Sequence, residues 1–232
     1  MSDPRDDEAL DDAASDLAAA ALVLARRFAA GGTLWCWAPG APQHAQHVAV
    51  EFVHPVIVGT RSLPAVAVLE DDGAGALRPL CRAGDVLLVV ADGDAPIGGT
   101  LRRAEAWGLT TLWMGAGPRP LTPSTHHLLW LSEDPLARAD GRLVLGYHVL
   151  WELTHVCFEH PGLLDGSAGD LASCITCSDE GRLGEVVDLR SGDASVRTAD
   201  GIETVSTALV GPVQPGDLVL VHAGTAITLV DA

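Results

Sequence analysis

The chain predicts an α/β protein in two parts: a three-layer α/β/α domain on a parallel five-stranded sheet, then a small β-barrel. Three observations say so. Short apolar runs without polar alternation recur between helical stretches up to residue 160, as strands covered on both faces require. A Gly/Ser/Asp-rich joint, Asp165-Gly-Ser-Ala-Gly-Asp170, follows. Beyond it the hydrophobic period becomes two, and turn residues separate the runs.

Residues 7–30 read as one helix, with Leu10, Leu17, Ala21, Leu24 and Phe28 at helical spacing and Gly31-Gly32 as the stop. Buried strands are expected at Thr33–Trp37, Ala65–Leu69, Val86–Ala91, Thr110–Met114 and Leu128–Leu131. Helices fall between several of them, at Gln43–Val53 and Gly98–Trp107. Arg142–Glu159 is the last long helix, with Leu145, Val149, Leu153 and Val156 as its apolar stripe. His148, Glu152, His155 and Glu159 line a neighbouring stripe, which by itself reads as a half-exposed face. His160-Pro-Gly162 ends this helix. The tail holds strands near Gly184–Leu189, Ser195–Thr198, Glu203–Ser206, Leu218–His222 and Thr225–Val230. Turn chemistry at Ser191-Gly-Asp193, Asp200-Gly201, Pro215-Gly-Asp217 and Ala223-Gly224 separates them, as in a closed or partly open barrel. The chain thus divides into a domain over 1–164, a joint over 165–172 and a barrel over 173–232.

Composition excludes several classes. At 48% apolar residues the chain is not disordered, and 232 residues suffice for one large or two modest cores. No apolar run spans a bilayer, and the N-terminus is acidic where a signal peptide is basic; a cytoplasmic protein is expected. Thirty-one acids stand against 14 basic residues, every one an Arg, for a net charge of −17. Such a field repels nucleic acid and suits a basic partner surface. Five cysteines (36, 81, 157, 174 and 177) make an odd number that argues against a disulfide framework. Cys36, Cys81 and Cys157 sit in apolar contexts and read as core.

Cys174-Ile-Thr-Cys177 has three readings: half of a zinc site, a redox pair, or soft thiolates offered to a metal. A structural zinc site wants a second Cys/His pair, and the tail supplies only His222. A redox pair should open a helix, whereas Ser178-Asp-Glu-Gly181 leads into strands.

From Cys174-Ile-Thr-Cys177-Ser-Asp through Val205-Ser-Thr-Ala-Leu-Val-Gly211 to Val213-Gln-Pro-Gly-Asp-Leu-Val-Leu-Val-His222-Ala-Gly224, the tail resembles the HypC/HupF hydrogenase assembly chaperones, over about Ser173 to Val230. The resemblance implies an OB-like barrel that carries the Fe(CN)₂CO unit of [NiFe]-hydrogenase from a HypD-type scaffold to the large-subunit precursor. It implies Cys174 and His222 as the residues that hold iron and partner, with Cys177 as an accessory thiol. The chemistry agrees: thiolate suits low-spin iron, and an imidazole can hydrogen-bond that thiolate or add a ligand. Two departures stand out. In most relatives the cysteine directly follows the initiator methionine, whereas Cys174 follows Ser173 inside the chain; and the usual proline shortly after the cysteine is absent.

The N-terminal part resembles SIS domains of the sedoheptulose 7-phosphate isomerase type over roughly 7–160. Gln43-His-Ala-Gln-His47-Val-Ala-Val-Glu51, Leu63-Pro-Ala-Val-Ala-Val-Leu-Glu, Leu101-Arg-Arg-Ala-Glu-Ala-Trp-Gly and His148-Val-Leu-Trp-Glu152 carry the likeness. The resemblance implies a metal site, zinc by its donors, of His47, Glu51 and His148, with Asp140 where relatives have a glutamine. The same residues read, taken alone, as polar remnants lining an empty cleft. The phosphate turns differ from those of the isomerases. Trp37-Ala-Pro-Gly-Ala-Pro42 has prolines where donors are wanted, and Ala91-Asp92-Gly-Asp94 sets two carboxylates where a phosphate would sit, with no neighbouring cation in sequence. The expectation is a carrier fused to a degenerate SIS domain that docks or homodimerises. The alternative is a metal-dependent sugar-phosphate isomerase or sugar-phosphate-binding protein with an accessory barrel.

Overall fold

The computed structural model describes residues 4–55, 59–133, 141–164, 181–190 and 192–230. It begins with α1 (Pro4–Ala29), β1 (Leu34–Trp37), α2 (Pro42–Val53), β2 (Ala65–Val68) and α3 (Gly73–Leu77). Then come β3 (Val86–Val90), α4 (Gly98–Ala106), β4 (Thr110–Gly115), β5 (His127–Trp130) and α5 (Arg142–Glu159). These strands form one parallel sheet in the order β2-β1-β3-β4-β5.

Period-two alternation splits each central strand between two cores. Leu34 and Cys36 of β1, with Val86, Leu88 and Val90 of β3, pack beneath α1, α2 and α5. Trp35 and Trp37, with Leu87 and Val89, enter the opposite core with Leu101, Trp107, Trp113 and Trp130. Asp85, 6% exposed, is buried there without loose ends: it accepts from the Thr33 and Arg82 backbone N–H groups and from Trp35 Nε1, at 2.9, 2.9 and 3.0 Å.

The barrel comprises β6 (Arg182–Arg190), β7 (Asp193–Thr198), β8 (Gly201–Ser206), β9 (Leu218–His222) and β10 (Thr225–Val230). It closes in the order β10-β8-β7-β6-β9 around Val186, Val196, Val205, Val219 and Val221. Gly184 is required inside it, since a Cβ there would lie 2.3 Å from Val196 Cγ1.

The barrel is seated on α4 by a buried carboxylate. Glu185 of β6, 3% exposed, accepts from Trp107 Nε1 at 2.9 Å and Arg78 Nε at 3.2 Å, with Arg103 Nη1 3.7 Å from its other oxygen. Arg103 also donates to the Gly216 carbonyl. Gly108 fits the same junction: its φ is +82°, and a Cβ would stand 2.9 Å from Ala83 Cβ and 3.0 Å from the Ala199 Cα.

Three expectations need correcting. On α5 the core-facing stripe is Leu143, Tyr147, Leu150, Trp151 and Thr154; Val149 and Leu153 of the expected stripe pack against that core partly buried, while Leu145 and Val156 are 48% and 39% exposed. The helix is apolar over so much of its circumference that spacing alone does not select the face. His155, expected half-exposed, is buried, with Nε2 against the Arg61 carbonyl at 3.0 Å. Cys36 and Cys157 are core thiols as expected, but Cys81 is only half-buried, beside the seam between the two parts.

Candidate functional site

Two places collect the residues singled out by sequence. The first is one end of the barrel. His222 is the last residue of β9, half-buried, and leads directly into a two-residue turn to β10. Both turn residues have positive φ, Ala223 at 47° and Gly224 at 76°, the geometry that matches the twist of a tight hairpin. The Gly224 carbonyl accepts from the Ser206 N–H at 2.9 Å, tying the turn to β8 where the barrel closes. Arg182, the first residue of β6, pairs with Val221 beside His222. Cys177 and Cys174 stand five and eight positions before Arg182 in the chain. Both lie outside the described residues, as do Asp140 and the whole Gly/Ser/Asp joint.

The second place joins α2 to α5. One turn of helix separates His47 from Glu51, so both side chains share a face of α2. α5 crosses there and brings His148. Glu51 Oε1 lies 3.3 Å from His47 Nε2 and 3.4 Å from His148 Nε2, and the two Nε2 atoms are 3.2 Å apart. These are the edges of a nearly equilateral triangle. Ligands about 2.0–2.1 Å from a tetrahedral zinc ion stand about 3.3–3.4 Å from one another, so these donors already have the spacing of three zinc ligands. The histidines are 41% and 42% exposed and Glu51 18%, which leaves the open side accessible.

Sequence reading missed Tyr147, the chain's one tyrosine, which is 1% exposed and 2.9 Å from His47 Nδ1. It falls on the core stripe of α5 next to His148, so spacing marks it as packing alone. Burial, and secondarily the Glu51 charge, push its phenol up to about 12. The group therefore stays protonated and can accept from a His47 Nδ1–H, the tautomer that leaves Nε2 free to bind a metal. His44, a turn earlier on α2, sits edge-on to Tyr147 and is lowered by burial and then by His47, so it stays neutral.

At the carboxyl ends of the strands, the turns keep the character seen in sequence. Ala41 and Ile97, the residues just before α2 and α4, give neither helix a side-chain cap. Arg102 folds back over α4: a Cβ on Gly98 would lie 3.3 Å from its Nη1, so a cation does approach the start of this helix.

Comparison with known proteins divides along the same line. The α/β part has the SIS-type fold of the phosphoheptose isomerases. The enzyme from Francisella tularensis superimposes with a TM-score of 0.55 at 19% identity, over 64% of this chain and 92% of that one. GmhA from Neisseria gonorrhoeae gives 0.51 at 20%, over 64% and 92%. At these identities the likeness establishes the fold. Residues 182–232, which hold the barrel, match the HupF/HypC family. The matched segment contains His222 and begins downstream of both thiols. No curated protein matches the chain.

Proposed function

We propose that the protein is a [NiFe]-hydrogenase maturation chaperone that receives the Fe(CN)₂CO unit from a HypD-type scaffold and delivers it to the large-subunit precursor. The observation that carries this reading is the HupF/HypC match over residues 182–232, with His222 at the barrel end where β6 begins. The thiolate of Cys174 holds the iron of the cargo, and His222 hydrogen-bonds that thiolate or adds a ligand. Cys177 is the accessory thiol. The site works in the cytoplasm; among the described residues no helix is long and apolar enough to cross a membrane. The SIS-type domain docks or pairs with a second copy, for which the exposed Leu145 and Val156 of α5 and Val50 of α2 offer apolar surface.

In a host expressing the hydrogenase maturation proteins, the tagged full chain is expected to retain the scaffold protein through washing. His222→Ala should retain several-fold less at equal thermal stability. Equal retention by both, or none by either, would remove the barrel end from the proposal.

The His47/Glu51/His148 triangle favours a second role for the α/β domain, holding zinc. Those three residues would be the ligands, with Asp140 as a candidate fourth and Tyr147 orienting His47. Bound zinc supplies Lewis acidity and a fixed positive charge for an oxygen ligand. A metal-dependent sugar-phosphate isomerase is the competing reading. Pro42, which removes a donor from the start of α2, and the Asp92/Asp94 turn weigh against phosphate. A thermal shift with sedoheptulose 7-phosphate and zinc separates the two: the carrier reading expects a response to zinc alone.

A further inference from the structure

The junction of α4 with the barrel forms an open pocket of about 310 Å³ that neither role above uses. Arg78, Cys81, Trp107, Arg197 and Ile202 are among its lining residues. In a chain of net charge −17, two guanidiniums and, among the described residues, no carboxylate line it. Two of the nearby acids are engaged, while Asp200, in the turn between the lining residues Thr198 and Gly201, is exposed to solvent. Glu185 and Asp85 are 3% and 6% exposed, with their oxygens taken up by Trp107, Arg78, Trp35 and backbone N–H groups.

The guanidiniums, by contrast, have donors in reserve. Among the described residues Arg197 makes one long hydrogen bond, Nη1 to the Arg78 carbonyl at 3.5 Å. Arg78 uses its Nε on Glu185. A guanidinium carries five N–H donors in a fork that matches carboxylate and phosphate. Beside them stand apolar groups: the Trp107 ring, and Ile202, which is 64% exposed and paired across the strands with Arg197. The volume is at the small end of ligand sites, which favour domain interfaces.

We infer that this seam binds a small organic oxyanion, its phosphate or carboxylate held between Arg78 and Arg197 and its carbon frame against Ile202. Arg78 belongs to the α/β part and Arg197 to the barrel, so the ligand grips both and tightens the junction. The inference is independent of the iron-carrier reading.

The test uses the full chain, with phenyl phosphate and benzoate titrated separately at constant ionic strength. Binding is followed by calorimetry and by the alkylation rate of Cys81, read by peptide mass spectrometry. Burial, then Asp85, pushes that thiol up to about 11, so alkylation is run at alkaline pH. Saturable binding of either probe is expected, with Cys81 alkylation slowed several-fold, and the probe that binds identifies the head group. Arg197→Gln should weaken binding about tenfold. Ile202→Trp, which closes the mouth from an exposed position, should do the same without touching a charge. Failure of both probes in the millimolar range, equal binding by both variants, or binding that leaves Cys81 unprotected would overturn the assignment.

Discussion

Glu51 and Glu185 are both carboxylates drawn out of bulk water, and their surroundings differ in kind. Glu185 meets the side chains of Arg78 and Arg103 and an indole N–H, so its charge is compensated by fixed groups of the chain. Glu51 faces two imidazoles at 3.3 and 3.4 Å, and among the described residues no guanidinium pairs with it. A carboxylate already matched to cations serves folding, here by seating the barrel on α4. One surrounded by nitrogen donors leaves room for an added cation. The same residue type thus marks a latch in one region and a set of donors spaced for a metal in the other.

The sharpest way to break this contrast is to take a ligand from the triangle. His148→Ala is expected to lower zinc affinity more than a hundredfold in a chelator competition while leaving the melting temperature of the metal-free protein within a degree or two. Affinity unchanged by the substitution would reduce Glu51 to an ordinary polar residue. Glu185→Ala should act in reverse, leaving zinc affinity alone and costing about 2 kcal/mol in chemical denaturation. That is below the full penalty of stripping a buried pair, because Arg78 and Arg103 keep some access to water. A loss within experimental error would mean the junction holds by packing alone.

A smaller effect sharpens the ligand side. Tyr147→Phe removes the partner of His47 Nδ1 but keeps the ring in the core, and should weaken zinc binding about tenfold. Equal affinity would show that helix packing alone orients the imidazole.

The smallest effect is a pH slope. Burial, with His126 adding to it and Asp16 opposing, lowers His127, and burial also lowers His44. In the window just below the ordinary histidine value, the unfolded chain then binds protons that the folded protein does not. Stability is full above that window and falls as pH drops through it. Melting temperatures should decline between about pH 7 and pH 5.5, and His127→Gln should make the decline shallower; an identical slope in the variant would contradict the assignment.

Much of this was legible in the sequence. Uninterrupted apolar runs gave the parallel strands, and turn residues gave the barrel, because backbone burial and positive φ constrain residue type directly. The pairing of His47 with Glu51 followed from helical spacing, and His148 from resemblance. What escaped depends on tertiary neighbours. α3 is five residues with two glycines, too weak a pattern to read, and Asp72 caps it by accepting from the Gly75 N–H at 2.9 Å. Glu185 looks like an outward-facing barrel residue until α4 covers it. Cys81 looks like core until the seam leaves it half-open. Tyr147 has the spacing of packing and the contacts of a ligand's partner. Cys174, Cys177 and Asp140 remain expectations from sequence.

The central claim is cargo carriage, and one spectrum addresses it. The full chain, purified anaerobically from a host expressing the hydrogenase maturation proteins, is examined by infrared spectroscopy in the CN and CO stretching region, beside Cys174→Ala and His222→Ala. The account predicts bands of both diatomic ligands in the parent, lost in Cys174→Ala and shifted or weakened in His222→Ala. An iron-free parent without such bands, or bands indifferent to Cys174, would contradict it and leave the His47/Glu51/His148 centre as the functional site.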